Sequence, residues 1–262
     1  MSLPLLTLIT INYNNAVGLE RTLKSVCDQN ISNLEYIVID GGSNDGSKEI
    51  IERYKSRVNI RISEPDTGIY NAMNKGIAKA SGSYILFINS GDELNGVDSL
   101  QNAMPHLDGT DLIFSNLMLI SKEMETVKLY PDKLTFQYFL NDSLPHPATF
   151  IKKKLLDDVG GFDEHLKVCS DWKFFMIALF KSDASYKHLS QTLSRFYLDG
   201  LSSSAKGREI IVYEKKQILN THFAGFLDLI DEWKESRNLK IIVESSRLIK
   251  YAKKLGFLKP LR

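Results

Sequence analysis

Over the first 115 or so residues, short apolar runs alternate with stretches of mixed polarity. Thr7-Leu8-Ile9-Thr10-Ile11, Tyr36-Ile37-Val38-Ile39 and Tyr84-Ile85-Leu86-Phe87-Ile88 are nearly continuous in apolar character, which is the mark of strands buried on both faces. The pattern predicts strands near 5–12, 35–40, 60–63, 84–88 and 111–115, with helices near 16–28, 47–55 and 69–80 between them. Such alternation implies right-handed βαβ units and an α/β fold with a mostly parallel sheet flanked by helices. Beyond about residue 117 the pattern changes: Leu117–Ile120 and Thr126–Tyr130 flank a polar stretch and read as a hairpin. The region after it reads as helix and loop, including an apolar helix from Trp172 to Phe180. After about residue 200 the chain reads as helical and charged.

The three apolar runs all release polar, glycine-rich residues at the same end. They lead into Asn12-Tyr13-Asn14-Asn15, Asp40-Gly41-Gly42-Ser43 and Asn89-Ser90-Gly91-Asp92. Ligands of open α/β sheets bind outside the carboxyl ends of the strands, so these residues form a candidate ligand rim. Asp40 is expected to face that rim, and Asp45 to cap the following turn and helix, with Ser47 as N-cap.

The 262 residues suffice for one large α/β domain or a domain with a small extension. A formal charge of +1 gives no electrostatic case for nucleic acid. No stretch reaches the roughly 20 apolar residues of a spanning helix, and Met1–Leu5 lacks the basic start of a signal peptide. The two cysteines, Cys27 and Cys169, have neither metal-site nor disulfide-framework spacing, which suits a reducing cytoplasm. From Arg237 to Arg262, eight basic residues and the single acid Glu244 alternate with apolar positions, a pattern suited to peripheral contact with an anionic membrane.

Five blocks, ITINYNN, IVIDGGSNDGS, SEPDTGIYNAMNKGI, FINSGDE, and HPATF followed by GGFDEHLKVCSDW, stand in one order over residues 4–200. Together they resemble the family-2 inverting glycosyltransferases of the GT-A fold, with the nearest likeness to bacterial enzymes that build surface polysaccharides. The resemblance implies a catalytic domain over 1–200, with a nucleotide-sugar half to about 115 and an acceptor half beyond it, then a helical, basic extension over 201–262. It also implies a nucleotide-sugar donor (a UDP-sugar), Mn²⁺ or Mg²⁺, and a saccharide acceptor carried on a lipid.

By the same resemblance, Thr10, Asn12, Asn14, Asp40, Gly42, Asp66, Asn71, Lys75, Asn89, Ser90 and Gly91 bind the donor. Asp92 holds the metal, as the last acid of a DxD motif that here reads Ser90-Gly91-Asp92. Asn89, Ser90 and Glu93 are candidates for further metal ligands, and Lys75 for the donor phosphates. Asp171 is the expected catalytic base, with His146 and Trp172 on the acceptor side. The chain departs from the pattern twice: Ser90 replaces the first acid of the metal motif, and Gly41 stands where many relatives carry a second acid. Two rival functions remain open. A sugar-1-phosphate nucleotidyltransferase would need a basic, glycine-rich loop where Asn12–Asn15 stands, and a catalytically silent nucleotide-binding protein would fit the thinned acidic motifs.

Overall fold

The structure is a computed structural model, and it describes residues 4–121, 123–198, 200 and 204–225. In chain order the elements are β1 (Leu6–Asn12), α1 (Ala16–Cys27), β2 (Leu34–Asp40), α2 (Ser47–Arg53), β3 (Ile60–Ser63), α3 (Ile69–Lys79), β4 (Tyr84–Phe87) and β5 (Glu93–Leu94). There follow α4 (Ser99–Ala103), β6 (Leu112–Ile120), β7 (Glu125–Lys128), α5 (Phe136–Asn141), β8 (Thr149–Lys152), α6 (Lys153–Val159), α7 (Ser170–Phe180), β9 (Tyr186–Tyr197) and α8 (Ala205–His222). The chain divides into two compact units, Met1–Val212 and Tyr213–Arg262. The basic stretch 237–262 lies outside the described residues.

One sheet runs in the order β3-β2-β1-β4-β8-β6-β9-β5, with β7 pairing on β6. The expected α/β class holds, and β3, β2, β1 and β4 are mutually parallel. The second half is mixed: β8 is antiparallel to both β4 and β6, β6 is parallel to β9, and β5 and β7 add antiparallel pairs. Every residue of β1 is buried, as a central strand covered by helices on both faces requires. α1 starts where the Asn15 side chain accepts the Gly18 amide at 3.1 Å, satisfying one of the open N–H groups of the first turn. At α2 the N-cap is Gly46, in a left-handed conformation, and Ser47 is the first helical residue. Asp45 takes the capping role: it accepts Ser47 N and Oγ and, across the loop, Ala16 N at 2.8 Å.

Three elements differ from the expectation. Residues 111–115 and 117–120 belong to one strand, β6, whose register against β9 shifts around Asn116. β8 and β9 arise in a region that reads as helix and loop. The twelve residues of β9, with Lys187, His188, Ser190, Gln191 and Arg195 among them, lack a clean apolar alternation. β9 is a strand because β6 on one side and β5 on the other satisfy its backbone.

α7 is apolar nearly all round, with Trp172, Phe174, Phe175, Met176 and Ala178 buried. The Trp172 indole N–H reaches the Phe139 carbonyl at 2.9 Å and the Asp142 carbonyl at 3.1 Å, tying α7 to the end of α5. Trp172→Phe leaves those carbonyls without this donor and should lower unfolding free energy by about 1–3 kcal/mol in urea denaturation. An unchanged denaturation midpoint would show that the bond contributes nothing.

Candidate active site

At the carboxyl ends of β1 and β2 a carboxylate is withdrawn from the rim. Asp40 is fully buried. Its Oδ1 accepts Asn12 Nδ2 at 2.8 Å and Ser43 Oγ at 2.5 Å; its Oδ2 accepts Ser63 Oγ at 2.6 Å and Ser43 N at 3.0 Å. Burial works against its charge, but these hydrogen bonds outweigh burial and hold the carboxyl below the ordinary aspartate range. The expectation that Asp40 faces the rim is therefore corrected: both oxygens are occupied in joining β1, β2 and β3. Thr10 is buried too, bonded to the Ile88 carbonyl at 2.7 Å and to Tyr36 Oη. Asn14 accepts Asn44 N and, through its own amide, holds Ser43 Oγ, so it ties the first two loops together.

Two clefts open above this floor and meet along Asn15, Ile69, Asn89 and Ser90. The smaller, of about 760 Å³, is lined by Asn12, Tyr13, Gly41, Gly42, Pro65 and Asp66 among others. A Cβ on Gly41 would stand 2.4 Å from Asp66 Oδ2, so the Asp66 carboxylate occupies the space a side chain at 41 would need. The missing second acid has a physical counterpart here, because another loop delivers a carboxylate to that place. Asp66 Oδ1 also accepts Gly68 N at 3.1 Å, which steadies the entry to α3.

Three polar side chains of α3 turn away from both clefts. Lys75 pairs with Glu64 at 2.9 Å and donates to the Pro65 carbonyl at 2.9 Å, bracing the loop that carries Asp66. Asn71 donates to Glu164 at 2.9 Å. Asn74 donates to the Phe162 carbonyl and to Glu164, each at 2.8 Å, and accepts Phe162 N. The two asparagines thus clamp the Gly161–Glu164 loop, and Phe162 packs inward against Tyr70, Phe87 and Phe174. Trp172 is 2% exposed and lines neither cleft, so its expected acceptor contact is corrected to a core role.

The larger cleft, of about 840 Å³, gathers Ser90, Gly91, Asp92, His146 and Asp171 with the apolar Leu117, Leu144 and Phe196. Asp171 lies in the first turn of α7. Its Oδ1 accepts Trp172 N at 2.8 Å and lies 3.4 Å from Tyr70 Oη, and its Oδ2 is 3.4 Å from His146 Nδ1. His146 Nε2 lies 3.2 Å from Asn89 Nδ2, so one imidazole spans from the β4 end to α7. Burial opposes its protonation, but the Asp171 hydrogen bond and the charges of Asp171 and Asp92 prevail, raising its pKa above the ordinary value. Asn89 Oδ1 is buried without a partner, and a half-turn of that amide would present it to a protonated Nε2. Burial, then the nearby charge of Asp171, pushes the Tyr70 phenol far up, so it stays a neutral donor.

The residues around Asp92 bear on a metal as follows. Asp92 is 6% exposed, and its Oδ1 lies 3.4 Å from Tyr197 N. Glu93 is engaged elsewhere: it accepts Tyr197 Oη at 2.6 Å and lies 3.9 Å from Arg195 Nε. Ser90 Oγ lies 3.3 Å from Asn15 Nδ2. Among the described residues no three His, Cys, Asp or Glu side chains converge as an ion-binding group. These residues form no ion cage of their own; a hard divalent ion here would draw one carboxylate, that of Asp92, from the protein and would need oxygen ligands from elsewhere.

Arg21, Tyr70, Lys128 and Tyr197 line the larger cleft as well, unforeseen from the sequence. A single basic residue in an amphipathic helix reads as a solvated face. Tyr197 comes from a strand the pattern does not disclose.

Comparisons with known proteins give the family and the fold. The family model described as Glycosyl transferase family 2 matches residues 7–162, and the chain belongs to that family. An uncharacterized glycosyltransferase of Mycobacterium tuberculosis (strain CDC 1551 / Oshkosh) is 34% identical over 185 residues, which span 68% of this chain and 70% of the relative. A PGL/p-HBAD biosynthesis glycosyltransferase of Mycobacterium bovis (strain BCG / Pasteur 1173P2) is 25% identical over 220 residues, 80% of this chain and 84% of that one. The crystal structure of S. aureus TarS 1-349 in complex with UDP-GlcNAc superposes with a TM-score of 0.65 at 21% identity, over 82% of this chain and 66% of that one. Against the longer TarS chain the match spans only 40% of its length. This likeness establishes the GT-A fold.

Because the Asp40 pKa is lower folded than unfolded, its stabilisation is complete above about pH 4 and is lost as pH falls through the folded value. Asp40→Asn should cost about 2–3 kcal/mol at pH 7, with the gap to wild type narrowing toward pH 3. Thermal unfolding across that range checks this, and a gap independent of pH would rule out the charged network.

Proposed function

We propose that the chain transfers a sugar from a nucleoside-diphosphate donor, a UDP-sugar, to a hydroxyl of a saccharide acceptor with inversion at the anomeric carbon. The acceptor is a lipid-linked intermediate of bacterial surface-polysaccharide assembly. One observation carries this reading: Asp92 and Asp171, distant in sequence, line one cleft with His146, which contacts Asp171 and feels the charge of both. In this reading the smaller cleft takes the nucleoside, with the Asp66 carboxylate available to a base N–H or ribose hydroxyl. The diphosphate lies along Asn89–Asp92, and sugar and acceptor share the larger cleft.

Asp171 removes the acceptor hydroxyl proton as that oxygen attacks the face opposite the departing diphosphate. The backbone amide of Trp172 and the His146 ring hold the carboxylate in place. Asp92 is the residue that would hold Mn²⁺ or Mg²⁺, which when bound offsets negative charge on the leaving diphosphate. Leu117, Leu144 and Phe196 add apolar lining to the cleft, which suits an acceptor with an apolar part. The TarS complex with UDP-GlcNAc and the relative named for PGL/p-HBAD biosynthesis support a nucleotide-sugar donor and a glycoconjugate product. Among the described residues no helix is long and apolar enough to cross a membrane. The basic stretch 237–262 is the proposed peripheral membrane contact.

Asp171→Asn should retain donor binding while turnover falls by about 10²-fold or more; a fully active variant would place the base elsewhere. Asp92→Ala should remove the Mn²⁺-dependent part of UDP affinity in calorimetry, and equal affinity with and without Mn²⁺ in both proteins would reject the shared-ion role. Pyrophosphate release from a sugar-1-phosphate and a nucleoside triphosphate would favour a nucleotidyltransferase instead.

A further inference from the structure

The cleft contains a cation that the mechanism above leaves unused. Arg21, on α1, donates Nε–H to the Gly91 carbonyl at 3.1 Å and an Nη2 hydrogen to the same oxygen. Its guanidinium carbon stands 3.6 Å from the centroid of the Tyr197 ring. Gly91 makes this possible: its φ of 111° is a backbone conformation that side chains rarely adopt, and it turns the carbonyl toward α1. Arg21 is thus fixed from two sides, by a carbonyl at the centre of the Ser90–Gly91–Asp92 turn and by an aromatic face from the end of β9.

Among the described residues no ion pair compensates this charge. Elsewhere in the cleft Lys128 pairs with Asp142 at 2.7 Å and His146 with Asp171 at 3.4 Å. Arg21 has no carboxylate within ion-pair distance among the described residues. A guanidinium carries five N–H groups in a planar fork, and the Gly91 carbonyl takes two of them. Three donors therefore remain on a half-buried, oriented cation lining the cleft beside Asp92. Desolvating such a group without a counter-charge is unfavourable, and an arriving anion relieves that cost. Phosphate oxygens match the fork in charge and in geometry.

We propose that Arg21 is the residue that binds the diphosphate of the nucleotide donor. The inference rests on the donor reading given above. It assigns to α1 the role the sequence suggests for Lys75, which is instead bound to Glu64 and Pro65. It also accounts for the electrostatics of the reduced motif. A diphosphate, one divalent ion and the Asp92 carboxylate together leave negative charge over, and Arg21 neutralises it.

The test compares a nucleoside with its diphosphate, using UDP with uridine, or GDP with guanosine if the wild-type chain prefers that base. Binding of the diphosphate is followed by calorimetry and of the nucleoside by ligand-observed NMR, each in EDTA and in Mn²⁺. In EDTA, Arg21→Ala and Arg21→Gln should weaken the diphosphate by about tenfold or more and leave nucleoside affinity unchanged. Arg21→Lys, which keeps the charge but loses the fork, should fall between them and wild type. Equal losses for nucleoside and diphosphate would make Arg21 only a brace for the turn and overturn the assignment, as would full diphosphate affinity in Arg21→Ala. A wild-type chain that binds neither UDP nor GDP would overturn the donor reading itself, and this inference with it.

Discussion

A buried charge sets the geometry of the whole rim. The Asp40 carboxylate, with no exposed surface, accepts four hydrogen bonds that come from the end of β1, the loop after β2 and the end of β3. An ionised group in that position is tolerable only if every donor stays in place, so the three segments hold one another at fixed separations. The floor of the smaller cleft is the upper surface of this knot. Asn12 reaches down into it, Gly42 follows it, and Asn14 ties the loop above it through Ser43 and Asn44.

The second half of the sheet brings the chemistry to that floor. β8 and β6 continue β4 in antiparallel fashion, and the chain enters β8 through His146, whose ring lies against Asn89 on one side and Asp171 on the other. α3 joins the two halves from above: Tyr70 supports the Asp171 segment, while Asn71 and Asn74 hold the loop that leads to it. Residues expected to bind a ligand are thus occupied in holding the surroundings of the clefts. Lys75 and Asp40 are the clearest cases, since each carries a charge that an internal partner already satisfies.

Polar residues that converge at strand ends are legible in a single chain, because a period-two or continuous apolar run places them at one edge. Asn12, Gly42, Asn89, Ser90, Gly91 and Asp92, at the strand ends, and Asp66, His146 and Asp171, to which the family resemblance points, are all found lining the two clefts. Thr10, Asn14, Asp40, Asn71, Lys75 and Trp172 are not. For these six the residue type and the neighbourhood are those of a site, but the rotamer and partner are not encoded locally. A lysine in α3 can extend to a phosphate or fold back on Glu64, and the loop geometry selects the second.

The alternation of strands and helices to residue 115, the α/β class and the rim at the strand ends follow from the order of residues, because burial imposes its periods on the chain locally; the carboxylates of the site are named by the family resemblance. β9 carries no such signal, and it becomes a strand only where β6 and β5 offer backbone partners. With it comes Tyr197, and with Tyr197 the place of Arg21 beside Gly91. Packing of segments far apart in the chain decides which charges meet a partner inside the protein and which stay open to a ligand, since pairing energies depend on distance and desolvation and leave no trace in local pattern.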